Sequence, residues 1–307
     1  MNKSADINKI EARAKRIVQK SRVNVEYFKD TDEENKKSIL LDVQETYKDI
    51  PSIYNQNTNL SPRNMVLRSL IINMFNYNFW GENEVLPNSS VLLDVIYTAF
   101  NSNKTLDLFY GSIKDRRKFI KKLKESMHSQ KFKCKDSYIS DIYKLEEIIR
   151  SSHRHKLYSF ISKVIQGNIS IQEHIKILGK IWPSYGKDIF FKREILAWYF
   201  IKDVIPNTIL KRIPNEELYF PIDYRLPSAL NHMNFMNFPK RFKKYFNGSK
   251  ILKNKKDEKL IRAVSFLTLI NLNRCLKLDA HKLDYYFFSK SRTLLKSKHL
   301  KFQTTDY

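Results

Sequence analysis

Apolar residues return every three or four positions along most of this chain, the period of a helix with one buried face. Residues 5–21 place Ile7, Ile10, Ala14 and Ile17 on one side, and residues 33–48 do the same with Ile39, Leu40, Val43 and Tyr47. In SPRNMVLRSLIINMF, Ser61 reads as a helix N-cap and Pro62 as the first helical residue, with the apolar face continuing to Phe75. SSVLLDVIYTAF opens another helix, capped by Ser89 or Ser90. The same period predicts helices over 113–127, 138–165, 170–180, 187–204, 227–237, 257–276 and 281–293. No alternating series predicts a set of strands, no internal repeat is present, and the connectors are short. The expected fold class is mainly α, a single helical domain.

Composition narrows this picture. Of 307 residues 42% are hydrophobic, enough for a sizeable core in one large domain or two small ones. Only 6 Gly and 9 Pro argue against β sandwiches and doubly wound sheets, which need many tight turns. Cys134 and Cys275 stand far apart with no CxxC, so neither a disulfide framework nor a zinc site is expected. The opening MNKSADINKIEARAKRI lacks an apolar stretch, which predicts no signal peptide. No apolar run reaches the roughly 18 residues of a membrane span. The expectation is a soluble, cytoplasmic protein with no membrane partner; its oligomeric state is not readable.

Charge adds a partner class. A net charge of +24 points to an anion such as nucleic acid, a nucleotide phosphate or an acidic membrane surface. A general richness in Lys, Asn and Ile is the plainer explanation. The most basic segment, KRFKKYFNGSKILKNKKDEK at 240–259, holds nine Lys or Arg against two acids. It reads as a phosphate-binding edge or, preferably, as a solvated helix end followed by a turn at Gly248.

Common catalytic spacings are absent: no HExxH, GxSxG, GxxxxGK[ST] or GxGxxG. No histidine spacing suggests a metal, and no cofactor is expected. Carboxylates among aromatics remain. NMFNYNFWGEN packs Phe75, Tyr77, Phe79 and Trp80 together, which suits either a slot for a flat ring or ordinary core. FFKREILAWYF sets Lys192, Arg193 and Glu194 among aromatics, and KLDYYFFSKS sets Asp284 before four of them. Asp284 is readable as a functional acid or as an N-cap. In YFPIDYRLPSALNHM, Asp223 precedes a helix begun near Pro227, where unpaired N–H groups favour an anion. The residues alone favour a structural Asp223, paired with Arg225, over a catalytic one.

Taken in order, these segments resemble the queuosine salvage family, the queuosine 5′-phosphate N-glycosylases. NYNFW at 76–80, IWPSYGKDIFFKREILAWYF, PIDYRLPSALNHMN, DEKLIRAVS and LDYYFFS each resemble a family segment, and Tyr307 fits a terminal Tyr. The likeness spans roughly 62–307, and Asp-Tyr-Arg-Leu-Pro is its most specific element. It implies a fold akin to helical DNA glycosylases and a queuosine-salvage-like domain over 61–307, with 1–60 expected as an N-terminal helical segment packed on that core. It implies hydrolysis of the bond between a 7-deazaguanine base and ribose in a small nucleotide substrate. Asp223 takes the place of the family's catalytic carboxylate, and Tyr77, Phe79 and Trp80 that of its base-bracketing aromatics. Lys192, Arg193 and Arg225 are the candidates for phosphate, and Asp284 joins the substrate-binding set. The sequence departs from the family where an acid that reads the base edge is expected: Tyr199 or Phe200 stands there, with Glu194 one turn earlier. Ser228 replaces a Gln. A DNA or RNA base glycosylase, or a non-catalytic nucleobase or RNA binder, are the alternative readings.

Overall fold

The structure is a computed structural model that describes residues 6–48, 61–75, 96, 113–129, 135–150, 153–182, 185–204, 219–295 and 299–302. It is mainly helical, as the periodicity predicts. The chain divides into two compact units, Met1–Pro51 with Asn215–Thr304, and Ser52–Pro214 with Thr305–Tyr307. Most of the expected N-terminal segment therefore shares a unit with the C-terminal third of the chain.

The first unit is built on α11 (Lys255–Leu276), with α1 (Ile7–Ser21) and α9 (Arg225–His232) packed against it; α2 (Glu33–Lys48) and α12 (Ala280–Leu295) complete the set. The Asn254 side chain starts α11 by accepting from the Lys256 and Asp257 amides at 2.9 and 3.4 Å. Between Leu260 and Ile270 the helix is buried on all sides, so its hydroxyls bond to their own backbone: Ser265 donates to the Ile261 carbonyl at 2.8 Å and Thr268 to that of Val264 at 2.9 Å. Asp6 caps α1, whose Glu11 receives a two-pronged hydrogen bond from Arg274 of α11 at 3.2 and 2.6 Å. That guanidinium, ahead of Lys15, holds the Glu11 carboxyl below its ordinary pKa against the opposing effect of burial. A two-residue ribbon, β1 (Glu26–Tyr27) against antiparallel β2 (Met236–Asn237), ends the helix expected over 227–237 early. Asn234 adopts φ 61° there, turning the chain out of the helix.

The second unit centres on α3 (Pro62–Met74). Ser61 caps it by accepting from the Asn64 amide at 3.3 Å, with Pro62 in the first turn. Val66, Leu67, Leu70, Ile71 and Met74 are all fully buried. Around it come α4 (Ile113–Ser129), α5 (Lys135–Arg150), α6 (His153–Ile165), α7 (Ile171–Ile181) and α8 (Lys192–Val204), each packed on the next from α4 to α6 and from α6 through α7 to α8. α3 itself lies against α6 and α8. The period over 138–165 is thus two helices. α7 begins with a reciprocal Ser170–Glu173 capping box.

The segment 187–191, expected as helix, is a loop. Asp188 folds it by accepting from the Phe190 and Lys192 amides at 3.2 and 3.0 Å, and Phe191 is held at φ 53° with its ring buried. Gly186 (φ 76°) lets this loop approach α7: a Cβ there would sit 3.3 Å from the Gly179 Cα. Gly186→Ala should cost about 1–3 kcal/mol, read as a lowered urea unfolding midpoint with the slope unchanged.

Candidate functional site

The Asp-Tyr-Arg segment enters α9 from a buried stretch without regular secondary structure, Tyr219 to Ile222. Ile222 makes a tight turn onto the Phe220 carbonyl at 3.0 Å. Its own carbonyl accepts from Nε of Arg262, a buried side chain of α11, at 2.9 Å. Asp223 follows. Its Oδ1 accepts from the Arg225 and Leu226 amides at 2.7 and 3.1 Å, so it caps a helix whose first residue is effectively Tyr224. Among the described residues no hydrogen bond engages Oδ2, and no ion pair joins Asp223 to Arg225. The pairing expected between those two side chains is replaced by capping.

Aromatic faces surround Arg225. Its guanidinium lies 5.6 Å from the Tyr224 ring centroid and 5.7 Å from that of Phe288 on α12. Asp284 sits one turn before Phe288, half-buried on the same side of α12. Since α12 begins at Ala280, Asp284 is no N-cap; Asp279 takes that task by accepting from the His281 amide at 2.7 Å. His299 packs on Tyr224 with ring centroids 5.1 Å apart and donates from Nδ1 to the Leu300 carbonyl at 2.9 Å. Burial lowers the His299 pKa to about 4, so the ring is neutral near pH 7; burial raises that of Tyr224 to about 12. Ser228 turns inward, donating to the Tyr224 carbonyl at 2.9 Å and accepting from the Leu300 amide at 2.8 Å. Three sequence segments, PIDYRLPS, LIRAVS and LDYYFFS, thus meet in the first unit. Arg262 and His299 gained no role from sequence reasoning; a buried Arg contacting a distant backbone carbonyl leaves no periodic trace.

Lys192, Arg193, Glu194 and Tyr199 are in the second unit, all buried. Glu194 accepts through Oε1 from the Gly186 amide, and its carbonyl accepts from Nε2 of His174 at 2.9 Å. Tyr185 donates to the Leu70 carbonyl at 2.6 Å. Burial raises Glu194 to about 7, opposed by the Gly186 hydrogen bond, and lowers His174 to about 3. These groups stitch a loop to a helical core. Tyr77, Phe79 and Trp80 lie outside the described residues. No grouping of three or more His, Cys, Asp or Glu suited to a metal occurs among the described residues, and none of their helices is long and apolar enough to cross a membrane.

No protein-family model and no curated protein matches this chain.

Glu194 and His174, both buried in the second unit, act oppositely on stability. Glu194, raised from 4.5 to about 7, stabilises fully below pH 4.5 and loses that contribution as pH rises to about 7. His174, lowered from 6.5 to about 3, contributes fully above pH 6.5 and loses it toward pH 3. Glu194→Gln keeps an acceptor for Gly186 and removes only the first effect. The stability difference, wild type minus Glu194→Gln, should therefore fall by about 3 kcal/mol between pH 4.5 and 7. Urea unfolding across that range measures it.

Proposed function

We propose that the protein is a hydrolytic N-glycosidase acting on a nucleotide, with Asp223 as its catalytic carboxylate and a 7-deazaguanine base, as in queuosine 5′-phosphate, as its leaving group. The reading is supported chiefly by the state of Asp223. One carboxylate oxygen is fixed by two backbone amides, the other is unengaged among the described residues, and the preceding carbonyl is held by a buried guanidinium. A catalytic carboxylate needs this combination of fixed position and one available oxygen.

Cleaving an N-glycosidic bond develops positive charge at C1′ and the ring oxygen. Asp223 Oδ2 stabilises that charge and accepts a proton from the attacking water. A 7-deaza base has carbon in place of N7, so protonation there gives no help to departure and the sugar side bears more of the barrier. Arg225 is the phosphate partner in this reading. Lys192 and Arg193 are only 1% and 3% exposed, whereas Arg225 is half-exposed at the start of the same helix that Asp223 caps. The Tyr224 and Phe288 faces keep its guanidinium ordered without neutralising it. No cofactor enters the scheme.

Incubation with queuosine, its 5′-phosphate, ordinary nucleotides and modified tRNA, followed by mass spectrometry for free base, tests the proposal. The 5′-phosphate should yield base. Asp223→Asn, which still accepts the two amides, should reduce release at least about 10²-fold while unfolding at an unchanged midpoint. Parent activity in Asp223→Asn would overturn the assignment, and release from none of the substrates would overturn the function.

A further inference from the structure

The segment 240–259 is a long basic run in the sequence, and its folding decides whether that run is also a surface. All nine of its Lys and Arg side chains are exposed. Its apolar side chains are not: Phe242, Phe246 and Leu252 are 0%, 8% and 1% exposed. The chain also turns back on itself. A 3₁₀ turn, Lys240–Phe242, runs into α10 (Lys243–Phe246), and Gly248, at φ 72°, reverses direction. The Lys250 amide then donates to the Lys244 carbonyl at 3.1 Å, and the Ser249 hydroxyl to the same carbonyl at 2.8 Å. Farther on, Leu252 donates to the Lys301 carbonyl at 2.8 Å, bringing a further basic residue alongside.

The start of α11 closes the patch. Arg241 reaches Asp257 at 3.8 Å, which sets the 3₁₀ turn beside the helix end that carries Lys255, Lys256 and Lys259. Of the two acids in the segment, Asp257 has its side chain 25% exposed and Glu258 is buried at 6%. Two cations lie over aromatic rings, Arg241 over Phe242 at 4.8 Å and Lys244 over Tyr245 at 5.2 Å. Those contacts order the side chains and leave their charge intact.

We infer that this surface of the first unit binds the phosphodiester backbone of a nucleic acid. An extended polyanion matches a patch of many exposed cations and few exposed acids, because each phosphate neutralised releases condensed counterions. An acidic membrane offers charge too, but stable attachment there also inserts apolar side chains, and Phe242, Phe246 and Leu252 of this segment are turned into the core. The inference is independent of the reaction assigned to Asp223.

Fluorescence anisotropy with labelled single-stranded RNA, duplex RNA and duplex DNA of 20 nucleotides or base pairs tests it, titrated from 50 to 200 mM salt. Binding should weaken steeply with salt. Replacing Lys243, Lys244, Lys250 and Lys253 with Gln should weaken binding at least 10-fold at 50 mM and reduce the log–log salt slope by about 3–4. A control removes the same charge elsewhere on the first unit, at exposed Lys9, Lys20, Lys29 and Lys37; it should change affinity less than threefold. The ranking of the three probes identifies which nucleic acid the surface prefers. Absence of binding, or equal loss in both variants, overturns the inference. Binding to phosphatidylserine vesicles but to none of the nucleic acids, lost in the first variant only, overturns it in favour of a membrane. All eight substituted lysines are exposed, so both variants should unfold at the parent midpoint.

Discussion

The hydrogen bond from buried Arg262 to the Ile222 carbonyl is the constraint on which the first unit's candidate site depends. A buried carbonyl without a donor is costly, and a buried guanidinium without acceptors more so, so each fixes the other. Tyr219 to Ile222 is thereby tied to the middle of the unit, and the chain leaves it in one direction only. Asp223 must then lie at the start of α9, where the Arg225 and Leu226 amides take one of its oxygens. The same residue ends a buried irregular stretch, caps a helix and presents an oxygen. A structural and a catalytic Asp223 are consequently compatible descriptions rather than rivals.

The second unit solves a different problem with similar means. Around its 185–191 loop, buried polar residues spend bonds on backbone: Glu194 on the Gly186 amide, His174 on the Glu194 carbonyl, Tyr185 on the Leu70 carbonyl. Such bonds hold an irregular loop, 185–191, against α3, α7 and α8 where helical hydrogen bonding cannot. A neutral His174 fits that task, since its burial opposes a charge. The carboxyl of Glu194 is turned to its own loop, which makes it a poor replacement for the acid expected near Tyr199.

Helices with one apolar stripe were legible in the sequence because burial imposes the period: Ile10 and Ala14 of α1 and the Ser61–Pro62 start of α3 lie as expected. Loops held by side-chain bonds to backbone were not. The period at 187–191 continues the helix that follows, but the Asp188 carboxylate bonds to two amides there and Phe191 is left-handed, which takes the chain out of it. β1 and β2 are too short to alternate visibly, and their pairing joins residues more than two hundred positions apart. At the site, Asp223 and Arg225 were marked by their local motif. Arg262 and His299 reach the same place through tertiary packing, which no spacing records.

Base release by two variants of Arg262 tests the central claim most directly. In Arg262→Gln the amide nitrogen replaces Nε and can still donate to the Ile222 carbonyl; in Arg262→Met that donor is gone. Arg262→Met should lower kcat at least 10-fold with KM changed less than twofold, and Arg262→Gln should recover most of it. Equal turnover in both variants and the parent, or equal loss in both, would contradict an Asp223 carboxylate positioned through that bond.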